Sequence, residues 1–545
     1  MTMQSSTSES ATKSPAWLST AIFYEIYPQS FLDTNGDGIG DLEGIIQKLD
    51  YIKSLGCDAI WLNPCFVSPF RDAGYDVADY YQVAPRYGTN ADIVRLFNAA
   101  HERGMKICLD LVAGHTSDQH PWFQQSSSPL PNSYSNWYVW TNSVWDSGNS
   151  MVNGYGDREG NFLPNFFYHQ PALNYGYANP DPERPWQLPV THPDVQAVRA
   201  ELFKIMRFWL DLGADGFRVD MAGSLVKSDP DYVETMKLWK QVREMFDSDY
   251  PDAVLMSEWS DPEKSILGGF HVDFMLNFGN PPAYISLLRK EKGRDLSPFT
   301  KGGHSFFDKQ GKGNIREFLD TYLKHFEATK NHGFITIPSG NHDSTRVAMG
   351  RTREEIEVVF AMIMTMPGVP FVYNGDEIGT RQGLGLISKE GGYDRTGSRT
   401  PMQWDGSPNA GFSNAPADRI YLPIDPGPDR PTIASQESDP ASLLNAVRGL
   451  ARFRREHPAL FGDADFVPLF AEPGVYPFVY QRSNASECFI IAINPSSSPS
   501  RAAFPVSNKI VSIQKVLGHE AECRLVSGKC ELSIPGVSYA IFQCR

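Results

Sequence analysis

The sequence has few cysteines, no long apolar stretch and no excess of basic residues. No apolar run approaches the length that crosses a membrane, and residues 1–15 are polar and lack the apolar centre of a signal peptide. We therefore expect residues 1–17 to form a disordered tail, and we expect no membrane partner. The formal net charge is −15 and the isoelectric point is about 5.3. This balance argues against a nucleic-acid partner, because such proteins carry a basic face.

The seven cysteines are scattered, and their spacing matches neither a CxxC pair nor a zinc site. An odd number of dispersed thiols is typical of reduced, buried cysteines, which predicts a cytoplasmic protein. A Cys523–Cys530 bridge across a hairpin is the alternative. The sequence does not specify an oligomeric state.

Short apolar strands alternate with amphipathic helices over most of the 545 residues. This alternation predicts parallel β/α units, and their number and order predict a closed (β/α)8 TIM barrel at 18–115 and 194–460. A doubly wound open sheet is the alternative, but its glycine fingerprint is missing. The predicted strands lie at 21–27, 58–63, 105–111, 217–221, 254–257, 272–275, 333–337 and 370–373. The predicted helices lie at 44–55, 90–103, 194–212, 354–366 and 443–456.

Two regions depart from the β/α alternation. Residues 116–193 are rich in aromatic residues, Asn, Gly and Pro, and predict a domain inserted after the third barrel strand. Residues 461–545 contain short strands without intervening helices, which predicts a C-terminal β-sandwich domain. The strands predicted in that domain lie at 466–470, 478–481, 489–494 and 537–543.

The fourth predicted barrel strand carries a charged pair. Arg218 and Asp220 are two positions apart, so both side chains lie on one face of the strand. A neighbouring guanidinium lowers a carboxylate pKa and holds the acid ionised, as a covalent nucleophile requires. A structural ion pair at the end of a strand is the alternative.

Further polar residues follow the ends of other strands, where barrel enzymes hold their active sites. Asp110 and His115 follow the third strand, Glu258 follows the fifth, and His342 and Asp343 follow the seventh. The strand ends meet at one mouth of the barrel, so we expect these side chains to lie close together.

Paired carboxylates in different settings suit glycoside hydrolysis, in which one acid attacks the sugar and the other donates a proton. Asp220 suits the attacking role. Glu258, in a drier setting beside Trp259, suits the proton donor, and repulsion from Asp343 would help to keep it protonated.

Four segments, in this order and at these spacings, resemble the signature of the α-amylase superfamily, glycoside hydrolase family 13. They are 110–115 (DLVAGH), 216–220 (GFRVD), 256–258 (MSE) and 341–343 (NHD). The resemblance covers about 21–543 and implies a barrel, an inserted domain B and a C-terminal sandwich. It also implies a retaining double displacement, with Asp220 as nucleophile, Glu258 as general acid/base and Asp343 as stabiliser of the transition state.

The same resemblance implies roles for neighbouring residues. His115 and His342 would hydrogen-bond the sugar in the first subsite, and Arg218 would orient the nucleophile. Asp110 either takes part in this site or only braces Arg218 or the barrel rim.

Two further matches point to the α-glucosidases within this superfamily. Asp72 and Tyr75, in the segment DAGYD, resemble the aspartate that grips the outer hydroxyls of a terminal glucose and the tyrosine that stacks on it. Arg395 and Arg399 resemble the arginines that close that pocket. An Asp72–arginine pair would block one end and favour an exo-acting enzyme on short saccharides; an ordinary surface ion pair is the alternative.

A loop after the first strand alternates oxygen-bearing residues as calcium loops do. It resembles the loop of oligo-1,6-glucosidase-like members that binds a structural Ca²⁺ through side chains and one backbone carbonyl. An Asx-rich turn without metal is the alternative. The corresponding ligands are Asp33, Asn35, Asp37, the carbonyl of Ile39, and Asp41.

Two departures from the family pattern leave the specificity open. Gly114 stands where many members carry an asparagine. Met221 stands at a position where the residue differs between members that prefer α-1,6 bonds and members that prefer α-1,4 bonds. The resemblance implies an exo-acting α-glucosidase on maltose-, isomaltose- or sucrose-like substrates. A transglucosylase or isomerase such as a trehalose synthase is the alternative, and a non-catalytic binding barrel, as in the heavy chains of amino-acid transporters, is a third.

Overall fold

Eight parallel strands form the centre of the protein. The computed structural model describes residues 14–146, 150–154, 156–276, 278–279, 282–291 and 302–545. The strands are β1 (Phe23–Ile26), β2 (Ala59–Leu62), β3 (Phe66–Val67), β4 (Asp79–Val83), β5 (Lys106–Val112), β6 (Val152–Asn153), β7 (Asn161–Phe162), β8 (Gly216–Asp220), β9 (Val254–Ser257), β10 (Val272–Phe274), β11 (Phe334–Thr336), β12 (Phe371–Tyr373), β13 (Asp465–Phe470), β14 (Phe478–Ser483), β15 (Cys488–Asn494), β16 (Ser500–Pro505), β17 (Ile513–Gly518), β18 (Glu522–Val526), β19 (Lys529–Ile534) and β20 (Ser538–Cys544).

The central sheet has the order β11-β10-β9-β8-β5-β2-β1-β12, with parallel pairing between neighbours. At the seam between β11 and β12, Thr336 Oγ1 donates to Val369 O at 2.9 Å and Ser339 N donates to Phe371 O at 3.1 Å. The sheet is therefore a nearly closed barrel, and the predicted TIM-barrel fold is confirmed.

Aromatic side chains fill the interior of the barrel towards the amino ends of the strands. The rings of Phe23 and Phe371 stack at 4.4 Å, and Trp61 and Phe274 pack against them. Both faces of these strands are covered, so their residues are buried almost without exception. The apolar filling leaves the carboxyl ends of the strands as the place for polar groups.

Helices surround the barrel and begin at side-chain caps. Thr89 and Thr352 form capping boxes before α2 and α9, and the His192 ring accepts from the Asp194 N–H before α4. The helices are α1 (Leu42–Ser54), α2 (Asn90–Glu102), α3 (Pro121–Ser126), α4 (Pro193–Asp211), α5 (Val233–Asp249), α6 (Pro262–Leu267), α7 (Ala283–Leu288), α8 (Ile315–Thr329), α9 (Arg353–Thr365), α10 (Ile433–Glu437) and α11 (Leu443–Glu456). The sequence prediction did not include α5 or α8, which complete the alternation after β8 and before β11.

The segment between β5 and α4 has little regular structure, namely α3 and the short β6–β7 pair. Aromatic contacts hold it together: Phe123 stacks on Trp140 at 5.5 Å and meets Tyr138 and Phe162 edge-on. This packing explains why the inserted region is so rich in aromatic residues.

The C-terminal region is a pair of antiparallel sheets, β13-β14-β15-β20-β17 and β16-β19-β18. Eight strands lie where the sequence predicted four. The four that were not predicted, β16 to β19, have one face exposed and carry few consecutive apolar residues. Their strand signal is therefore weaker than that of the buried β14, β15 and β20.

The remaining sequence predictions concern cysteines and the amino terminus. All seven cysteines lie in the described residues and are free thiols, so Cys523 and Cys530 form no bridge. Residues 1–13 of the predicted tail lie outside the described residues, and at its other end Trp17 Nε1 donates to Asp252 O at 2.9 Å. Among the helices described, none is both long and apolar enough to cross a membrane.

Candidate active site

The polar residues predicted at the strand ends meet at one mouth of the barrel. Strand pairing places Asp110 beside Arg218 and Val219 beside Ser257, so the carboxyl ends of β5, β8 and β9 lie level. Asp220 ends β8, and Glu258 directly follows β9. Together with Asp343 they line a cavity of about 700 Å³.

Arg218 is buried and contacts three carboxylates. Its Nη1 lies 2.8 Å from Asp110 Oδ1 and 3.1 Å from Asp220 Oδ1, and its Nη2 lies 2.8 Å from Glu258 Oε1. Asp110 is fixed in turn, because its Oδ2 accepts hydrogen bonds from Trp61 Nε1 at 3.0 Å and Tyr75 Oη at 2.9 Å. Asp110 therefore braces the arginine, and Asp220 and Glu258 share one guanidinium.

The pKa of Asp220 differs from the sequence prediction. Burial and the Glu258 charge raise it well above the ordinary range, and Arg218 lowers it only in part. Arg218 lowers this pKa as predicted, but the net shift is upward, contrary to the prediction that Arg218 keeps Asp220 ionised. One guanidinium shared among three buried carboxylates does not offset their desolvation and mutual repulsion.

Burial also raises the pKa of Glu258 against the effect of Arg218, and the charge of Asp343 raises it further. The direction and the contribution of Asp343 agree with the sequence prediction. Glu258 nevertheless forms an ion pair with Arg218 at 2.8 Å and accepts one hydrogen bond, from Met221 N at 3.0 Å, whereas Asp220 accepts one from Arg218 at 3.1 Å. Because both pKa values are raised, the pair of Asp220 and Glu258 keeps a proton at pH values above the ordinary carboxylate pKa.

Asp343 has the opposite electrostatic setting. Burial raises its pKa, but Arg395, His342 and Arg399 together hold that pKa well below its usual range. Its Oδ1 lies 3.0 Å from Arg395 Nη1 and 2.6 Å from Arg399 Nη2. The side chain is 31% exposed, so an ionised carboxylate faces the cavity.

Arg395 connects two acids at one end of the cavity. Besides Asp343 it contacts Asp72, with Nη2 3.4 Å from Asp72 Oδ1, and Gln170 Nε2 donates to the other Asp72 oxygen at 2.7 Å. Burial raises the pKa of Asp72 to about 7, although Arg395 and Arg399 lower it. Asp72 and Arg395 thus form the ion pair that the sequence predicted, within the lining of the cavity rather than on an open surface.

Tyr75 and His342 form a stacked wall beside these acids. Their rings lie 5.2 Å apart at an angle of 12°. His342 Nδ1 lies 2.8 Å from Glu25 Oε1, and among the described residues its Nε2 has no hydrogen-bond partner and lies 3.4 Å from Asp343 Oδ2. Burial lowers the pKa of His342 to about 3, so the ring is neutral near pH 7. Hydrogen bonding of His342 to a sugar stays a prediction.

His115 lies deeper than its predicted role requires. Its Nε2 lies 3.0 Å from Tyr75 O, and Asn165 Nδ2 lies 3.1 Å from its Nδ1. Both ring nitrogens therefore contact protein groups, and one of these groups is the backbone carbonyl of Tyr75. Direct hydrogen bonding of His115 to a sugar stays a prediction.

The sequence predictions omitted most of a group of aromatic side chains that line the cavity. Trp259 was singled out in the sequence, but the others were not. The abundance of aromatic residues in 116–193 was the available signal for two of them. They are Phe166, Phe167, Tyr232, Trp259, Phe278 and Tyr393.

Met221 also lines the cavity, in an unusual backbone conformation. Its φ of 46° and ψ of 42° lie in the left-handed region, which side chains other than glycine rarely adopt. This turn aims the Met221 N–H at Glu258 Oε2. The residue that follows β8 thus holds the Glu258 carboxylate.

The predicted calcium loop is a series of Asx turns. Asp33 accepts from four groups, the N–H groups of Asn35, Gly36 and Gly38 and the hydroxyl of Ser413. The side chains of Asn35, Asp37 and Asp41 each accept backbone N–H groups as well. Within the described part of the chain, no three His, Cys, Asp or Glu residues are grouped to hold a metal ion. Calcium at Asp33, Asn35, Asp37, Ile39 and Asp41 stays a prediction.

Comparisons with known proteins agree with this architecture. The family profile described as alpha amylase, catalytic domain, matches residues 25–463. Trehalose synthase/amylase TreS of Mycobacterium tuberculosis is 30% identical over 97% of this chain and 90% of its own length. Oligo-1,6-glucosidase of Heyndrickxia coagulans is 31% identical over 88% of this chain and 92% of its own length.

Among solved structures, an isomaltulose synthase variant from Erwinia rhapontici NX5 in complex with D-glucose has a TM-score of 0.78 and 25% identity. The alignment covers 97% of this chain and 99% of that one. A trehalulose synthase MutB variant from Pseudomonas mesoacidophila MX-45, in complex with sucrose, has the same TM-score and identity over 98% and 100% of the two chains. The profile match, the barrel and the strand-end carboxylates together identify the chain as a glycoside hydrolase or transglycosylase enzyme that belongs to the α-amylase family.

Proposed function

We propose that the protein is a retaining, exo-acting α-glucosidase that removes the terminal glucose from short α-glucosides. The observation that carries this proposal is the pair of contacts by which Arg395 joins Asp72 to Asp343 in the lining of the cavity, and we infer that they close one end of it. A terminal glucose fits beside Asp220 and Glu258 when its outer hydroxyls reach these charges. A chain interior would have to displace the ion pair.

In the proposed reaction, Asp220 Oδ attacks the anomeric carbon while Glu258 gives its proton to the glycosidic oxygen, which leaves with the aglycone. The products of this step are a glucosyl ester of Asp220 and an ionised Glu258. Glu258 then removes a proton from water, the water oxygen attacks the same carbon, and Asp220 is released. Two inversions give net retention of configuration.

Proton movement is part of this proposal. Burial and the Glu258 charge raise the pKa of Asp220 well above its ordinary value, whereas Glu258 is held by the Arg218 guanidinium and by the Met221 N–H. We infer that a bound sugar shifts the shared proton to Glu258, where the leaving oxygen can use it. The ionised Asp343, paired with Arg395 and Arg399, would stabilise the positive charge that develops on the sugar ring.

Transfer to a sugar instead of water is the second candidate. The aromatic wall formed by Phe166, Phe167, Tyr232, Trp259, Phe278 and Tyr393 favours it, because aromatic faces bind a sugar acceptor and limit the access of water. The similar trehalose, isomaltulose and trehalulose synthases make transfer an appropriate alternative to hydrolysis.

The test is incubation with maltose, isomaltose, sucrose and trehalose, followed by chromatography of the products. Free glucose without a new disaccharide supports hydrolysis, and a new disaccharide or longer oligomer supports transfer. The anomer first released is read by NMR. Release of the inverted anomer would contradict the proposed mechanism.

Two further features belong to the proposal. A cytoplasmic location is supported by the seven free thiols, which are typical of a reducing compartment. A structural calcium ion at the loop of Asp33 to Asp41 is supported by its alternating oxygen-bearing residues.

A further inference from the structure

The space beside His115 is filled by a side chain from the inserted segment. A Cβ atom placed on Gly114 would lie 2.6 Å from Asn165 Nδ2 and 3.2 Å from Ser224 Oγ. A Cβ does not come that close to another side chain without displacement. Gly114 is therefore the residue that leaves room for the Asn165 carboxamide.

The orientation of this carboxamide follows from its neighbours. Lys227 can only donate, and its Nζ lies 3.4 Å from Asn165 Oδ1. The amide nitrogen therefore faces the other way, 3.1 Å from His115 Nδ1 and 3.2 Å from Ser224 Oγ. Lys227 is anchored in addition by a hydrogen bond to Ser224 O.

This orientation fixes the tautomer of His115. Because Nδ1 accepts from the Asn165 amide, the ring proton lies on Nε2, which donates to Tyr75 O at 3.0 Å. A carbonyl oxygen can only accept, so both contacts require the same tautomer. Burial keeps the ring neutral by lowering its pKa to about 3.

We propose that Asn165 is a positioning residue of the active site and that Gly114 is its structural counterpart. Through His115 it supports the backbone of Tyr75, which lines the cavity beside the catalytic carboxylates. Its Nδ2 also lies 3.8 Å from Met221 Sδ, next to the turn whose N–H holds Glu258. One side chain of the inserted segment thus supports both walls of the site. The inference rests on the enzymatic function proposed above.

The test is a double-mutant cycle with Asn165→Gly, Gly114→Asn and the double variant, assayed on a chromogenic aryl α-glucoside. Each single variant is expected to lower kcat/KM at least tenfold, Asn165→Gly chiefly through kcat. The kcat/KM of the double variant is expected to be at least fivefold higher than that of Gly114→Asn, because removal of the Asn165 side chain makes room for the new carboxamide. Asn132→Ala, in an outer loop of the same segment, is the matched control and is expected to match the wild type.

The proposal would be overturned if Asn165→Gly had the kcat and KM of the wild type. It would also be overturned if the loss of kcat/KM in the double variant equalled the product of the two single losses. Histidine ¹⁵N spectra give a readout that does not need turnover, with His115→Gln used for assignment. We expect His115 to carry its proton on Nε2 in the wild type and to gain one on Nδ1 in Asn165→Asp. A wild-type proton on Nδ1 would also overturn the proposal, whereas absence of turnover in the wild type would contradict only the proposed function.

Discussion

At the scale of single residues, Arg218 and its three carboxylates show how an active site costs stability. Asp110, Asp220 and Glu258 are all buried, and among the described residues Arg218 is the one cation that contacts them directly. Arg218 keeps two acidic partners when Asp220 is neutralised. By contrast, Asp343 is the carboxylate partner of both Arg395 and Arg399, and Arg399 is buried.

We therefore expect Asp220→Asn and Asp343→Asn to change stability in opposite directions. Both variants should lose activity by at least about 10³-fold. At pH 8, Asp220→Asn should raise Tm by about 1–3 °C, because it removes a charge whose desolvation is not offset, and Asp343→Asn should lower Tm. Tm is measured by scanning calorimetry at pH 5 and pH 8.

The pH dependence follows from the direction of each shift. The folded pKa of Asp220 is raised, so its contribution to stability is complete below its unfolded pKa and is lost as pH rises through the folded pKa. The gain in Tm from Asp220→Asn should therefore be smaller at pH 5 than at pH 8. The folded pKa of Asp343 is depressed, so the loss from Asp343→Asn should be present at both values. Equal effects of the two substitutions at pH 8 would contradict this account.

Arg395 provides a second test at this scale. Arg395→Ala removes the link between Asp72 and Asp343 and opens that end of the cavity. We expect the ratio of kcat/KM for a maltotetraose over maltose to rise about tenfold, a change equivalent to about 1.4 kcal/mol. Arg381→Ala removes an exposed arginine that pairs with Asp429, and serves as control. An unchanged ratio would mean that the ion pair does not limit chain length.

At the scale of elements, two aspartates of the loop between β1 and α1 have different structural roles. Asp41 caps α1, accepting from Gly44 N at 2.7 Å, and also accepts from Thr34 N at 2.8 Å. Asp37 is exposed and accepts only within the loop, from Ile39 N at 2.9 Å. We therefore expect substitutions of the two aspartates to differ in how their effects depend on calcium.

Asp41→Ala should destabilise the protein by about 1 kcal/mol in chelator, because the helix loses its cap, and by more in calcium, because Asp41 is also a predicted ligand. Asp37→Ala should lower Tm only in the presence of calcium, and in chelator it should match the wild type. Calorimetry in calcium and in EGTA measures both effects. A wild-type Tm that does not respond to EGTA would reject the calcium prediction.

At the scale of the whole molecule, two buried arginines meet at the carboxyl end of α9, and one of them, Arg482, joins the barrel to the C-terminal sheets. Arg482 on β14 donates to Thr365 O at the end of α9 and to Phe461 O, both at 2.5 Å. Arg454 on α11 donates to Met364 O at 2.9 Å and Gly368 O at 2.6 Å. The cations lie at the carboxyl end of α9, where the helix dipole favours positive charge.

Arg482→Met should weaken this junction by about 2–3 kcal/mol, because charged hydrogen bonds are lost and buried carbonyl oxygens are left without donors. We expect a lower Tm and faster proteolysis between the barrel and β13. Arg524→Met, on the exposed surface of the same sheets, is the control. Equal stability of the two variants would show that Arg482 does not couple the domains.

Whole-molecule architecture was predictable because it rests on local patterns. Buried strands such as β2 and β9 are short, mostly apolar runs, and Glu258 directly follows β9 in sequence. The strands β16 to β19 were not predicted, because a half-exposed strand lacks such a run.

The sequence by itself determined the barrel, the family and the position of Asp220, Glu258 and Asp343, because strand order brings the ends of parallel strands to one mouth. Only the tertiary structure decided how Arg218 is shared, because the three carboxylates come from three strands. The same holds for Asn165 beside Gly114, which are 51 positions apart. Electrostatic interactions and packing depend on which residues are neighbours in space, and no local stretch of the chain specifies those neighbours.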